Sequence, residues 1–222
     1  MAFMNRMVLL LVLAIFGTVS VAADKLPEVS HDGLKLQKDT KAAVVYKADG
    51  ANLKEYDKIA LLEAYVAFKK NWQKKFNRDV INLQDRVTDK DMKRIRGEVA
   101  KEFTKIFTEV LSKEGGHEMV AEGGDGVLIV RPAIINLEVT APDTMTPGME
   151  QNMSASAGQM TLYMELLDGK TGALLYRVID PKAAGNEMWQ IRNSVTNRAA
   201  ADRVLRRWAE LLNSQLAAVK SS

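Results

Sequence analysis

A short run of cations and aromatic residues is the part of the sequence best suited to binding chemistry. Between Phe68 and Arg78, five Lys or Arg side chains are interleaved with three aromatic ones. Cations attract anionic head groups, and aromatic rings rest at the boundary between lipid and water. The segment therefore predicts a site for an anionic lipid or glycolipid surface, while a solvated loop whose aromatics fold back on the core is the alternative. The candidate binding residues are Lys69, Lys70, Trp72, Lys74, Lys75, Phe76 and Arg78.

A second candidate is a series of methionines at four-residue steps. Met145, Met149 and Met153 lie in a segment that otherwise contains mainly Thr, Pro, Ser, Gly and Gln. Thioethers are soft ligands that suit Cu(I). Methionine also forms adaptable apolar contacts, and the later Met160 and Met164 fit a strand that faces the core. The sequence leaves a Cu(I) site and an adaptable hydrophobic loop as alternatives for this segment.

Residues that could carry catalysis do not combine into a site. His31 and His117 are the only histidines in the sequence, and His31 lies in the predicted arm. No paired-histidine metal site is therefore indicated, and a Ser-His-carboxylate relay would have to depend on His117 alone. Asp57 and Glu63 would face the same side of a strand, yet six residues of strand span about 20 Å, too far for a pair of acid and base carboxylates. We therefore expect no catalytic residue, no cofactor and no enzymatic activity. A pocket that gathers Glu63 and His117 would favour the alternative, an unrecognised envelope hydrolase.

The composition is that of a folded domain without cysteine chemistry. The 222 residues are 47% hydrophobic and 27% charged, which predicts a buried core. The absence of cysteine excludes disulfides, thiol nucleophiles, thiolate zinc sites and thiol-linked lipid anchors. The formal net charge is only +3, so the basic character matters locally, in the segment from Lys69 to Arg78.

The N-terminus has the pattern of a secretory signal peptide. Arg6 precedes an uncharged stretch, residues 7–23, that ends in small residues. We expect cleavage after Ala22 or Ala23 and export to the periplasm or cell envelope, with an uncleaved anchor as the alternative. Residues 24–41 are then a flexible arm, and residues 42–222 a single domain. Because the mature chain leaves the cytoplasm, nucleic acid is not an expected partner.

Six stretches of the domain have the apolar pattern of strands. A short Gly-containing connection at 168–172 predicts a hairpin between the last two of them. Pro132 places its strand at a sheet edge or marks a bulge. The predicted strands are residues 42–46, 57–68, 118–121, 126–140, 154–167 and 173–180.

Two long helices complete the pattern. Thr88 is a candidate N-cap for a helix of about six turns that ends at the glycine pair at 115 and 116. A second amphipathic helix begins near residues 194–196 and runs towards the C-terminus. The order of elements predicts an α+β fold, an antiparallel meander sheet with both helices packed on one face.

Three stretches also carry a family resemblance. They are the strand that begins at Tyr56-Asp57-Lys58-Ile59, the hairpin from Leu167 to Leu175, and the helix from Ala199 to Leu212. Their order and spacing resemble a bacterial cell-envelope family catalogued as domain of unknown function 3313, over about residues 42–219. Many members of the family are lipoproteins, and this chain departs from them because it lacks a lipid-accepting cysteine.

The resemblance implies a place at the envelope and supplies no catalytic residues. We therefore predict a non-enzymatic periplasmic or cell-envelope protein that binds an envelope protein, lipid or glycolipid. Cu(I) binding and hydrolase activity are the alternatives.

Overall fold

The computed structural model describes residues 26–113, 116–140, 152–154, 158–184, 190–192 and 194–220. The strands in these ranges are β1 (Lys35–Gln37), β2 (Val44–Lys47), β3 (Lys58–Leu61), β4 (Tyr65–Phe68), β5 (Glu118–Val120), β6 (Val127–Val139), β7 (Asn152–Ser154), β8 (Gly158–Asp168), β9 (Leu174–Ala184) and β10 (Gln190–Arg192). The helices are α1 (Trp72–Asp79), α2 (Asp89–Leu111) and α3 (Ser194–Lys220).

Eight strands form one mixed sheet in the order β1-β2-β9-β8-β6-β3-β5, with β4 beside β6. Neighbours from β6 through β8, β9 and β2 to β1 are antiparallel. In contrast, β3 and β4 run parallel to β6, and β5 runs parallel to β3. Parallel neighbours need a long crossover, which α2 supplies between β4 and β5. The predicted α+β class is confirmed, and the parallel pairs add to the predicted antiparallel meander. Strands β7 and β10 pair separately.

The run at 57–68 forms two short strands where a single long strand is predicted. Both strands pair with the same side of β6, and the break at residues 62–64 lies opposite Arg131 and Pro132. Proline has no amide hydrogen and cannot donate a hydrogen bond to a neighbouring strand. Pro132 therefore lies beside an irregularity in the pairing, whereas β6 itself is central and not an edge strand.

Helix α2 begins as predicted. Thr88 Oγ1 accepts a hydrogen bond from the Asp91 amide at 3.2 Å, and Asp91 Oδ2 accepts one from the Thr88 amide at 2.9 Å, which forms a capping box. Phe103 and Phe107 of this helix are fully buried, with ring centroids 3.9 Å apart. The helix ends at Leu111, earlier than the predicted glycine stop.

The β8–β9 hairpin confirms the predicted turn. Asp168 Oδ1 accepts hydrogen bonds from the hydroxyl and the amide of Thr171, each at 2.6 Å, and Gly172 has a φ of +72°. Tyr56 donates its hydroxyl to Asp168 Oδ2 at 2.8 Å. The bonds from Thr171 and then Tyr56 lower the pKa of Asp168 to about 2. Burial and the bond to Asp168 raise the pKa of Tyr56 to about 12.

Part of the predicted flexible arm is attached to the sheet. Residues 35–37 form the edge strand β1, which is antiparallel to β2. Leu34 is buried, and the Tyr46 hydroxyl donates to the Pro27 carbonyl at 3.0 Å. A three-residue strand is too short to show the alternating apolar pattern by which the sequence predicts strands.

Both long helices cover the same face of the sheet, as predicted. Alternate residues of β6 and β8 form one core with α2 and α3. The Trp208 indole of α3 donates to Asp180 Oδ2 of β9 at 2.7 Å, inside this layer. The core residues from the two central strands include Leu128, Val130, Ile134, Met160, Leu162, Met164 and Leu166.

Candidate functional site

The aromatic residues of the predicted lipid-binding segment face the protein interior. Trp72 begins α1 and is only 8% exposed. Its ring stacks on Phe68, with centroids 4.6 Å apart, and on Phe76, at 5.5 Å. The prediction that Trp72 rests in a lipid interface is therefore corrected, because burying the ring against its neighbours takes it out of reach of a membrane. Trp72 and Phe76 are four residues apart, which is the spacing of one helix face, and this is the sequence signal for α1, a helix absent from the predicted elements.

The cations of the same segment lie at the surface. Lys70, Lys74 and Lys75 are exposed, and none of their ammonium groups has a hydrogen bond or ion pair with the described residues. Lys69 forms an ion pair with Glu138, and Arg78 pairs with Asp79 beside it. Three lysines, Lys74 and Lys75 on α1 and Lys70 just before it, therefore present positive charge to solvent.

The loop after α1 exposes two large aliphatic side chains. Ile81 is 96% exposed and Leu83 is 73% exposed. The loop closes where Asn77 Nδ2 donates to the Val87 carbonyl at 2.8 Å and the Val87 amide donates to Asn77 Oδ1 at 2.8 Å. Residue type alone gives no signal that a single Ile or Leu is exposed, so only the structure identifies these two.

The sheet face opposite α2 and α3, which we call the open face, carries a row of part-exposed side chains. The row crosses five neighbouring strands by direct pairing, from β4 through β6, β8 and β9 to β2. Tyr65 at one end is 66% exposed. At about 4.8 Å between strands, the row spans about 19 Å. The members of this open-face row are Tyr65, Ala133, Tyr163, Ile179 and Val44.

Next to this row, a charged network crosses the same face. Glu165 Oε2 accepts from Arg131 Nη2 at 2.6 Å, and Glu165 Oε1 accepts from Arg177 Nη2 at 2.8 Å and from the Tyr163 hydroxyl at 3.1 Å. Arg177 Nη1 also donates to Asp32 Oδ1 at 3.0 Å. Asp32 lies in the segment predicted as an arm, so the network fastens that segment to the sheet.

The network keeps both carboxylates ionised. Hydrogen bonds from Arg177 and then Ser30 hold the pKa of Asp32 well below its usual range, and the bond to Asp32 raises the pKa of Arg177. Burial raises the pKa of Glu165, but the hydrogen bonds from Arg177 and Arg131 outweigh burial, so the net shift is downward. These carboxylates act as hydrogen-bond acceptors for fixed guanidinium groups.

His117 is buried at the entry to β5, with 6% exposure. Its amide donates to the Leu111 carbonyl at 2.9 Å, and neither ring nitrogen has a hydrogen-bond partner among the described residues. Burial and then the charge of Lys220 lower the pKa of His117, while Asp57 opposes them. The imidazole is therefore held in its neutral form.

Glu63 and His117, the pair that would favour a hydrolase, lie at separate places. Glu63 lines an open groove of about 560 Å³ beside α2, whose other lining residues do not include His117. That lining is Leu61, Ala100, Lys101, Thr104 and Lys105.

The methionine series falls largely outside the described residues. Met145 and Met149 are not in the described ranges, and of Met153 only the backbone, in β7, is described. Met160 and Met164 are buried in the core. Within the described ranges, no three His, Asp or Glu side chains come together as metal ligands would. None of the helices in those ranges has both the length and the apolar composition needed to cross a bilayer.

Comparison with known proteins gives a family and similar solved structures. No curated protein matches the chain. Two structures of the PelC dodecamer from Paraburkholderia phytofirmans, one of them a point variant, align with 76% of this chain and with 95% and 96% of the PelC chain. Both alignments have 9% identity and a TM-score of 0.37. The family model described as "Protein of unknown function (DUF3313)" matches residues 28–212, so the chain belongs to this family.

Proposed function

We propose that the protein is a non-enzymatic binding protein of the bacterial cell envelope, and that it binds another envelope protein through the open-face row. The observation that carries this proposal is the exposure of the row. Five neighbouring strands present apolar or aromatic side chains on the face opposite α2 and α3. Exposed apolar patches of this kind mark interaction surfaces.

The shape of the open face favours a macromolecular partner. Sites for small molecules are concave and enclose most of the ligand. The row instead follows a sheet surface across five strands and ends at Tyr65, which is 66% exposed. Tyrosine is enriched in protein interfaces, and the row contains both Tyr65 and Tyr163. A protein partner therefore fits the row better than a single lipid or sugar head group.

The structural roles of the titratable groups support a non-enzymatic assignment. Asp32 and Glu165 hold Arg177, and Asp168 holds the hairpin turn. The pKa of each of these carboxyl groups is shifted by hydrogen bonds to neighbouring residues, so no substrate is needed to explain the shift. The separation of Glu63 from His117 gives the hydrolase alternative no assembled acid and base.

The assignment to the envelope is supported by the N-terminal sequence and the family resemblance. Residues 1–23 have the pattern of a signal peptide. Sequencing the N-terminus of the protein purified from a periplasmic fraction tests export: we expect Ala23 or Asp24 as the first residue. A chain that begins at Met1 and remains in the cytoplasmic fraction would contradict the proposal.

Photo-crosslinking in intact cells tests the open-face row. A photoreactive amino acid at position 65 is expected to form one discrete adduct with an envelope protein. The matched control places the same amino acid at Arg96, an exposed residue of α2. Equal crosslinking at both positions, or adducts only with lipid, would contradict a protein-binding role for the row.

A further inference from the structure

Independently of the open face, we propose that α1 and the loop after it form a docking surface for an anionic phospholipid bilayer. In this arrangement the exposed lysines in α1 and just before it contact head groups, and Ile81 and Leu83 enter the apolar side of the interface. The surface, which we call the basic surface, comprises Lys70, Lys74, Lys75, Ile81 and Leu83.

Charge concentration is the first argument for this surface. Residues 69–86 contain six Lys or Arg against two Asp, a local net charge of +4, whereas the whole chain carries only +3. The rest of the chain is thus close to neutral. Lys70, Lys74 and Lys75 are exposed and have no ion-pair partner among the described residues. An anionic membrane attracts such lysines within about one Debye length of its surface.

The exposed aliphatics are the second argument. Ile81 and Leu83 have the highest exposures, 96% and 73%, of the large hydrophobic residues in the described ranges. A soluble polyanion would satisfy the lysines but would give these side chains nothing apolar to contact. A bilayer supplies head groups and an apolar layer at adjacent depths, as interfacial segments with a cationic and an apolar part require.

The loop geometry is the third argument, because it fastens the segment that carries the two aliphatics to α1, the helix that carries Lys74 and Lys75. Asn77 bonds to the amide and the carbonyl of Val87, which closes residues 78–86 against α1. Gln73 adds a bond to the same Val87 carbonyl at 3.1 Å, and Val87 itself is buried. Within the loop, Asn82 Nδ2 donates to Asp85 Oδ2 at 3.0 Å. The loop is therefore anchored at its base with Ile81 and Leu83 outside.

Co-sedimentation with vesicles tests the proposal. The protein is expected to pellet with phosphatidylcholine vesicles that contain phosphatidylglycerol, to be released by salt, and not to pellet with phosphatidylcholine alone. Changing Lys70, Lys74 and Lys75 together to Gln should weaken partitioning on the order of a hundredfold, since each basic side chain near an anionic surface contributes about a factor of five. The matched control changes three exposed lysines elsewhere, Lys38, Lys41 and Lys54, to Gln and should leave most of the binding.

A second pair of variants tests whether the aliphatics enter the bilayer. Ile81→Ser with Leu83→Ser should weaken binding to the anionic vesicles, whereas Leu26→Ser with Val29→Ser, also exposed aliphatics, should not. If the Ile81/Leu83 variant binds the vesicles as well as the unchanged protein does, and lysine-dependent binding to heparin is retained, the proposal of bilayer docking is wrong. The ligand is then a soluble polyanion. If the two lysine triple variants lose vesicle binding equally, the binding does not depend on the basic surface and the proposal is wrong. Circular dichroism of each variant confirms that it is folded.

Discussion

The helix-covered face and the open face take alternate residues from the same strands. In β8, Leu162 and Met164 lie in the core with α2 and α3, while Tyr163 and Glu165 lie on the other side. The core side of β8 is apolar, and its side chains are almost fully buried. The open side combines part-exposed apolar residues with an ionic network that Arg131 and Arg177 complete.

The difference shows how one sheet can separate stability from recognition. On the helix-covered face, burial removes the apolar surface of each side chain from water, and this stabilises the folded chain. On the open face, the buried carboxylate of Glu165 is tolerated because three donors surround it. Substitutions of core residues on the first face are therefore expected to change stability, and substitutions of the part-exposed apolar residues on the second to change binding.

Adjacent isoleucines of β6 give the sharpest test of this separation. Ile134 is fully buried in the core, and Ile135, the next residue, is part-exposed on the open face. Ile134→Ala is expected to cost about 2 to 5 kcal/mol of unfolding free energy, from lost apolar burial and the cavity left behind. Ile135→Ala should cost about 1 kcal/mol or less. Urea unfolding of both variants measures the difference, and equal losses would mean that the two faces are equally buried.

A second test compares two members of the ionic network. Glu165→Gln removes the charge that both arginines contact and should cost about 2 kcal/mol, the scale of hydrogen bonds to charged groups. Arg131→Gln should cost less than about 1 kcal/mol, because the Arg131 side chain is 54% exposed and water compensates for the lost pair. Thermal unfolding measured by circular dichroism gives both values. If Arg131→Gln lowers the unfolding free energy as much as Glu165→Gln does, the Arg131–Glu165 ion pair is less accessible to water than the exposure of Arg131 indicates.

The α+β class was predictable because long elements repeat their pattern several times. The capped α2, the start of α3 and the β8–β9 hairpin follow from Thr88, the apolar stripe near the C-terminus and the turn residues at 168–172. The parallel pairing of β3 and β4 was not predictable, since the apolar pattern of a strand does not reveal the direction of its neighbour. The edge strand β1 pairs with β2, the next strand in the chain, but its three residues are too few to show a strand pattern.

The candidate surfaces were predictable only in part. The lysine cluster could be read directly, because charge is a property of residue type. The burial of Trp72 depends on its stacking between Phe68 and Phe76, and the exposure of Ile81 depends on a loop closed by Asn77. The ionic network joins Asp32 to Arg177, which are 145 residues apart in the sequence. Such contacts arise from tertiary packing rather than local pattern.

The smallest expected effect comes from comparing two buried polar groups. Glu165 has hydrogen-bond partners, whereas the ring nitrogens of His117 have none among the described residues. The pKa of His117 in the folded chain lies below the usual 6.5. As the pH falls through 6.5, the imidazole therefore becomes protonated in the unfolded chain while it stays neutral in the folded chain. Stability should therefore decrease below pH 6.5, by at most about 1.4 kcal/mol per pH unit for one proton. In urea unfolding across this range, His117→Leu should flatten the decrease, whereas His31→Gln, an exposed histidine, should leave it unchanged. An unaltered slope in the His117 variant would mean that the imidazole finds a proton acceptor in the folded chain. His117 and Glu165 would then both be buried polar groups with hydrogen-bond partners.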